Sequence, residues 1–124
     1  MATVDKRRKA TRLPKQIDVA VAAAVDRKAL NLIVLDLRKA GGFTDYFVIC
    51  SGANARQIRA IADAVMSSLA AEGAKPAHVE GYDRSEWILI DYFDFIVHVF
   101  AEDTRMFYGL ERLWGSAERV EPKG

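Results

Sequence analysis

Cysteine is almost absent from this chain: Cys50 is the only one in 124 residues. That excludes a disulfide framework and a cysteine metal cluster, and it fits a reducing compartment. Histidine is nearly as scarce, with His78 and His98 alone, and neither has a partner at metal-ligand spacing. No run of about 18 apolar residues occurs, so no membrane-crossing helix is expected. The basic start lacks the apolar centre of a secretory signal, and it is short for an organellar transit peptide. An excess of either charge is also missing. Eighteen Lys and Arg face 17 Asp and Glu, a net charge of +1, which argues against a polyanion binder acting through overall charge. There is no internal repeat and no low-complexity tract.

What is present describes one domain. Half of the residues are hydrophobic, 51%, and 28% are charged, a globular balance for a chain long enough to bury a core by itself. Residues 1–13 show no apolar period and are expected to form a flexible basic arm. Residues 6–15 carry Lys6, Arg7, Arg8, Lys9, Arg12 and Lys15 without an acid, so this local basic stretch can touch phosphates. Residues 14–115 are expected to form the domain, and residues 116–124 a flexible polar tail.

Within the domain, Ile17, Ala20, Val21, Ala24 and Val25 stand at helical spacing and predict a helix over 14–29 that starts at Pro14. The apolar run Leu30–Leu37 and the run Asp45–Ser51 predict two strands joined at Gly41-Gly42, antiparallel because the connection is short. Asn54 caps a long helix with Gln57 three residues on. Ile58, Ile61, Ala62, Val65 and Leu69 are its buried stripe, and Gly73 ends it. A short strand over 76–81 precedes two more, Glu86–Asp91 and Asp94–Phe100. A last helix, capped by Asp103 or Thr104, carries Met106, Phe107, Leu110, Leu113 and Trp114 along one side. The fold class is α/β, with a mixed sheet of about five strands and helices packed mainly on one face.

The stretch 85–100, SEWILIDYFDFIVHVF, holds the least ordinary residues. With a two-residue turn at Tyr92-Phe93, Asp91 sits opposite Asp94, Leu89 opposite Ile96 and Trp87 opposite His98. Alternation then gives two faces. Ile88, Ile90, Phe95, Val97 and Val99 form an apolar face for the helices. Trp87, Leu89, Asp91, Asp94, Ile96, His98 and Phe100 form a mixed face, the composition of a binding surface. The competing reading is that the tails or Trp114 cover this face within the monomer.

Enzyme readings of the same residues are weaker. Asp91 and Asp94 as a Mg²⁺-binding pair would suit a nucleotide-binding transferase, but no third ligand follows. The serines lack a nucleophile-elbow context, and Cys50 within a strand reads as apolar packing. The Ser51-Gly52 turn before a helix is a weak phosphate signal. No catalytic residue, metal ligand or cofactor motif is assigned.

Several spaced motifs do resemble a known family. DYFVICSG at 45–52, Arg56-Gln57 with IAD at 61–63, Glu80-Gly81, WILIDYFDFIVHVF at 87–100, Arg105, Phe107-Tyr108, Leu110-Glu111 and Leu113-Trp114 resemble the ribosomal silencing factor family, RsfS, also called Iojap-like. The likeness runs over residues 16–115; at Phe93 the family often has glycine. The resemblance implies a nucleotidyltransferase-like topology without the catalytic residues. It implies a cytoplasmic translational repressor that binds the large ribosomal subunit through its fourteenth protein, uL14, and blocks joining of the small subunit when nutrients are scarce. It also implies a homodimer off the ribosome and, with the ribosome as target, a minor contact of the basic arm with ribosomal RNA. On that reading Trp87, Leu89, His98 and Phe100 lie in the partner-binding face, with Trp87 and Phe100 as apolar anchors. Glu80, Asp91 and Asp94 would meet the basic side chains of the ribosomal protein.

Overall fold

Ile17, Ala20, Val21 and Ala24 turn their stripe inward along α1, Lys15–Asp26. The computed structural model describes residues 13–120. The basic arm, Leu13 apart, and residues 121–124 lie outside the described residues. α1 starts directly after Pro14, whose φ of −54° suits a helix entry and whose carbonyl accepts from Ile17 and Asp18. It ends before residue 29 because Lys28 takes a left-handed φ of 64° and redirects the chain.

Strands β1, Leu30–Asp36, and β2, Tyr46–Gly52, pair antiparallel as their short connection requires. Near its start β1 slips register around Asn31, which sits at φ 49°, a conformation asparagine tolerates. The next helix, α2, spans Ala55–Ala71. Asn54 Oδ1 accepts the Gln57 amide N–H at 2.9 Å, a cap worth about 1 kcal/mol. Gln57 does more than complete that cap. Its Oε1 accepts the Ala53 N–H, and its Nε2 donates to the carbonyls of Arg27 and Lys28 at 3.2 and 3.0 Å. One side-chain amide thereby joins the end of α1 to the start of α2.

Strands β3, His78–Glu80, β4, Trp87–Asp91, β5, Phe95–Ala101, and β6, Glu118–Val120, complete a sheet ordered β3-β4-β5-β2-β1-β6. β2 and β5 run parallel and every other pair antiparallel. The class is the expected mixed α/β sheet, with six strands rather than about five. The additional one comes from the segment expected to be a loose tail. Glu118–Val120 pairs with the open edge of β1, satisfies its backbone groups and buries Val120. Both edge strands are three residues long and carry charged side chains, which discourages further pairing.

The hairpin register differs from the expected one by two residues. Asp91 faces Ile96, Leu89 faces His98 and Trp87 faces Phe100. The cause is Tyr92. It belongs to the apolar face by alternation, stacks on Phe95 at 5.0 Å, and is buried. Its N–H bonds the Phe95 carbonyl, so the hairpin runs one rung further and the turn falls on Phe93-Asp94. Asp91 Oδ1 then takes the Phe93 N–H at 2.8 Å. Asp91 and Asp94 are therefore not opposed carboxylates. A shift of two preserves side-chain parity, so both faces keep their members, Asp94 moving into the turn.

Ile88, Ile90, Phe95, Val97 and Val99 pack with α1 and α2 in the main core. The opposite face holds a second, smaller core of Leu35, Leu37, Phe47, Ile49, Ile96 and Phe100. Its cover is the C-terminal segment. That segment was expected to be one helix with an inward apolar side, but Gly109 adopts φ 57° and splits it into α3, Glu102–Tyr108, and α4, Leu110–Leu113. After the break only Leu110, Trp114 and Ala117 turn onto the sheet.

Candidate interaction surface

Trp87 is the centre of the second face. Its ring stacks on Phe100 at 4.8 Å and meets Tyr108 at 4.9 Å. Its indole Nε1–H donates to His98 Nδ1 at 3.0 Å. Because indole is only a donor, Nδ1 carries the lone pair and the imidazole proton is on Nε2. His98 is 3% exposed. Burial disfavours the imidazolium and brings the pKa down from 6.5 to about 3. Phe47 packs on the same imidazole edge to face at 4.5 Å. The histidine is thus a neutral acceptor that orients the tryptophan, in a bond worth about 1 kcal/mol.

The seven residues of the predicted partner face separate into a floor and a rim. His98 and Phe100 are buried beneath Trp87 and the C-terminal segment. This corrects the expectation that they present themselves to a partner; Leu110 and Trp114 cover that part of the sheet. Trp87, Leu89 and Asp91 are half-buried, while Glu80 and Asp94 are exposed. Glu80 lies beside Leu89 on the neighbouring strand and contacts His78 Nε2 at 2.5 Å. Asp94 sits in the turn, where its carbonyl accepts the Asp45 N–H. Glu80, Trp87, Leu89 and Asp91 therefore share one region of the face, and Asp94 flanks it from the turn.

Sequence reasoning missed a group of exposed apolar residues. Met106, Phe107 and Leu113 were assigned with Leu110 and Trp114 to one side of a single helix, yet they are 76%, 78% and 74% exposed, and Tyr108 is 53% exposed. They form a ridge along α3 and α4, and Tyr108 joins it to Trp87. Such a patch on a small domain marks an interaction site. The one signal for it was Gly109, whose left-handed break rotates Phe107 and Leu113 away from the sheet. Arg105 was noted only as part of a motif. It is buried, donates Nε and Nη2 to Glu111 at 3.1 and 3.0 Å, and reaches Ser51 Oγ from Nη1 at 2.9 Å. That fork anchors α3 to β2 and α4 to α3.

Among the described residues no group of three His, Cys, Asp or Glu could hold a metal ion. Burial pushes the Cys50 thiol up to about 12, so it stays protonated and inert. Among the described residues no helix is long and apolar enough to cross a membrane.

A mixed six-stranded sheet with α1 and α2 on one side and the short α3 and α4 on the other defines a small α/β domain. The comparisons with known proteins give that class a family. The family described as "Ribosomal silencing factor during starvation", RsfS, matches residues 10–124. A ribosomal silencing factor RsfS of Halalkalibacterium halodurans is 38% identical over 108 residues, which is 87% of this chain and 92% of the relative. The chain belongs to the ribosomal silencing factor family. A crystal structure of a protein from Chromobacterium violaceum shares the fold with a TM-score of 0.79 and 29% identity, covering 89% of this chain and 88% of that one. A mouse protein named "Mitochondrial assembly of ribosomal large subunit protein 1" is 29% identical over 101 residues, 79% of this chain and 44% of its own length.

Proposed function

We propose that this protein is a cytoplasmic, non-enzymatic repressor that docks on the large ribosomal subunit and sterically blocks joining of the small subunit under nutrient limitation. The contact is with ribosomal protein uL14. The observation that carries the reading is the exposed ridge of Met106, Phe107, Tyr108 and Leu113, which Tyr108 joins to half-buried Trp87. The ridge supplies apolar anchors. Glu80, Asp91 and Asp94 supply negative charge nearby for a basic ribosomal protein. A steric block requires only a compact body and an adhesive face, and family membership supports the ribosome as its target. Off the ribosome, the same ridge pairs two copies, so dimerisation and docking compete.

Co-sedimentation with purified large subunits tests this directly. Phe107→Asp should weaken binding at least tenfold, since a charge replaces an anchor. Asp91→Lys should weaken it less, and mainly at low salt. Light scattering of subunit mixtures should show joining slowed by the wild type and restored with Phe107→Asp. Unchanged binding by Phe107→Asp would move the site off the ridge. The same variant should also sediment as a monomer, at a concentration where the wild type is a dimer.

A further inference from the structure

Beside the ridge, on the same side of the sheet, lies a cavity of about 520 Å³ that shares Met106 with it and whose arginines the docking reading does not use. We propose that it binds a phosphorylated small molecule of nucleotide size, through the arginines of the C-terminal segment. This proposal stands apart from ribosome docking and survives if that reading fails.

Its place in the fold follows from topology. β2 and β5 are parallel neighbours, with Ser51 beside Phe100 in register. β2 continues into α2 on one side of the sheet, and β5 continues into α3 on the other. Adjacent parallel strands whose connections leave to opposite sides open a crevice beyond their carboxyl ends, where open α/β sheets bind ligands. Ser51 and Arg105 line the cavity there. The volume lies within the range of about 300–1,000 Å³ typical of small-molecule sites.

The chemistry of the lining selects an anion. Arg105 is buried and spends three of its five N–H donors on Glu111 and Ser51; two remain. Ser51 Oγ accepts from Arg105, so its own proton is free to donate. Arg112 and Arg119 add two guanidiniums from α4 and β6, and among the described residues neither makes an ion pair. Arg112 folds over Gly109 so closely that a Cβ there would lie 2.6 Å from its Nη2. Glu111 is neutralised by Arg105, which leaves exposed Glu102 as the single opposing charge among the described residues of the lining. Two guanidiniums without an ion pair among the described residues, spare Arg105 donors and a hydroxyl match the oxygens of a phosphate group. The site differs from the Asp91 and Asp94 transferase reading, which needs Mg²⁺ and lies at the opposite ends of these strands.

Nuclear magnetic resonance on the intact 13.8 kDa chain tests the proposal, with adenosine triphosphate without magnesium, inorganic phosphate and a 5′-phosphorylated RNA oligomer as separate probes. Adenosine triphosphate should shift the Arg105 Nε–H and Ser51 amide signals saturably. Arg112→Gln and Arg119→Gln should each weaken that binding about tenfold. Glu102→Gln should tighten it, and Arg84→Gln, outside the cavity, should leave it unchanged. Shifts produced by the RNA alone, lost without its 5′-phosphate and sensitive to the same two arginines, would place the phosphate on RNA and overturn the small-molecule assignment. Absence of saturable shifts with every probe, or shifts indifferent to Arg112 and Arg119, would overturn it.

Discussion

At the scale of single residues, two positions work against their own preferences. Phe93 has φ 73° and is 78% exposed. Its neighbours hold it there. Asp94 N–H bonds the Tyr92 carbonyl across it, Asp91 Oδ1 accepts its N–H, and Thr44 Oγ1 donates to its carbonyl at 2.7 Å. A left-handed conformation costs a non-glycine residue about 1–2 kcal/mol. Phe93→Gly should therefore raise stability by about 1 kcal/mol in urea denaturation, after the added entropy of the unfolded glycine is set against the relief. His98 is the other case. Its folded pKa lies at about 3, below the 6.5 of the free group. Between those values the unfolded chain holds a proton that the folded chain does not. Its stabilising effect is complete above pH 6.5 and declines as pH falls toward 3. At pH 5 the loss amounts to about 2 kcal/mol, at 1.36 kcal/mol per pH unit. His98→Gln retains an acceptor for the Trp87 indole without titrating. Its urea stability should change less than that of the wild type between pH 7.5 and 5, and an equal change in both would refute the assignment.

At the scale of elements, the C-terminal segment departs furthest from expectation. Its apolar residues read as one amphipathic helix, and that period is real over Met106, Leu110, Leu113 and Trp114. A single left-handed glycine breaks the period and divides the set into a cover and a ridge. Leu110 and Trp114 close the second core, while Met106, Phe107 and Leu113 face outward. Trp114→Ala should lower stability by about 2–3 kcal/mol, at the low end for a large aromatic because the ring is only half-buried. The Trp87 indole N–H should then exchange faster with solvent, since Trp114 packs on Phe47 and Phe47 on His98. An unchanged exchange rate would show that the segment does not guard the second core. The strands, by contrast, were legible. Continuous apolar runs placed β1 and β2, strand-like runs of branched and aromatic residues placed β4 and β5, and parity assigned both faces of the hairpin although its register was two residues off. β6 was not legible, because Glu118–Val120 has no strand signal apart from the edge of β1 that receives it.

At the scale of the whole molecule, the α/β class and the position of the main core followed from pattern, and family membership followed from motifs along the chain. The site was only partly legible. Trp87, Leu89, Asp91 and Glu80 do share a face, but His98 and Phe100 lie beneath it, and the ridge went unrecognised. The docking prediction belongs here, because the ridge, the half-buried rim and the acidic residues come from four separated segments. Their effect on subunit joining depends on the bulk of the folded body as much as on any one contact.

The sequence by itself determined α1, α2 and strands β1 to β5, and the inward faces of α1, α2 and the hairpin, because local periodicity and capping act over a few residues and are written there. It also determined the absence of a disulfide. Tertiary structure alone decided what the second face became. Whether Trp87, His98 and Phe100 meet water, a partner or their own C-terminus depends on where Gly109 sends the chain after it leaves the sheet. The approach of Arg105 to Ser51, 54 residues away in sequence, is likewise set by packing. No local pattern encodes contacts of that range, since they form only once the parallel strands β2 and β5 lie side by side.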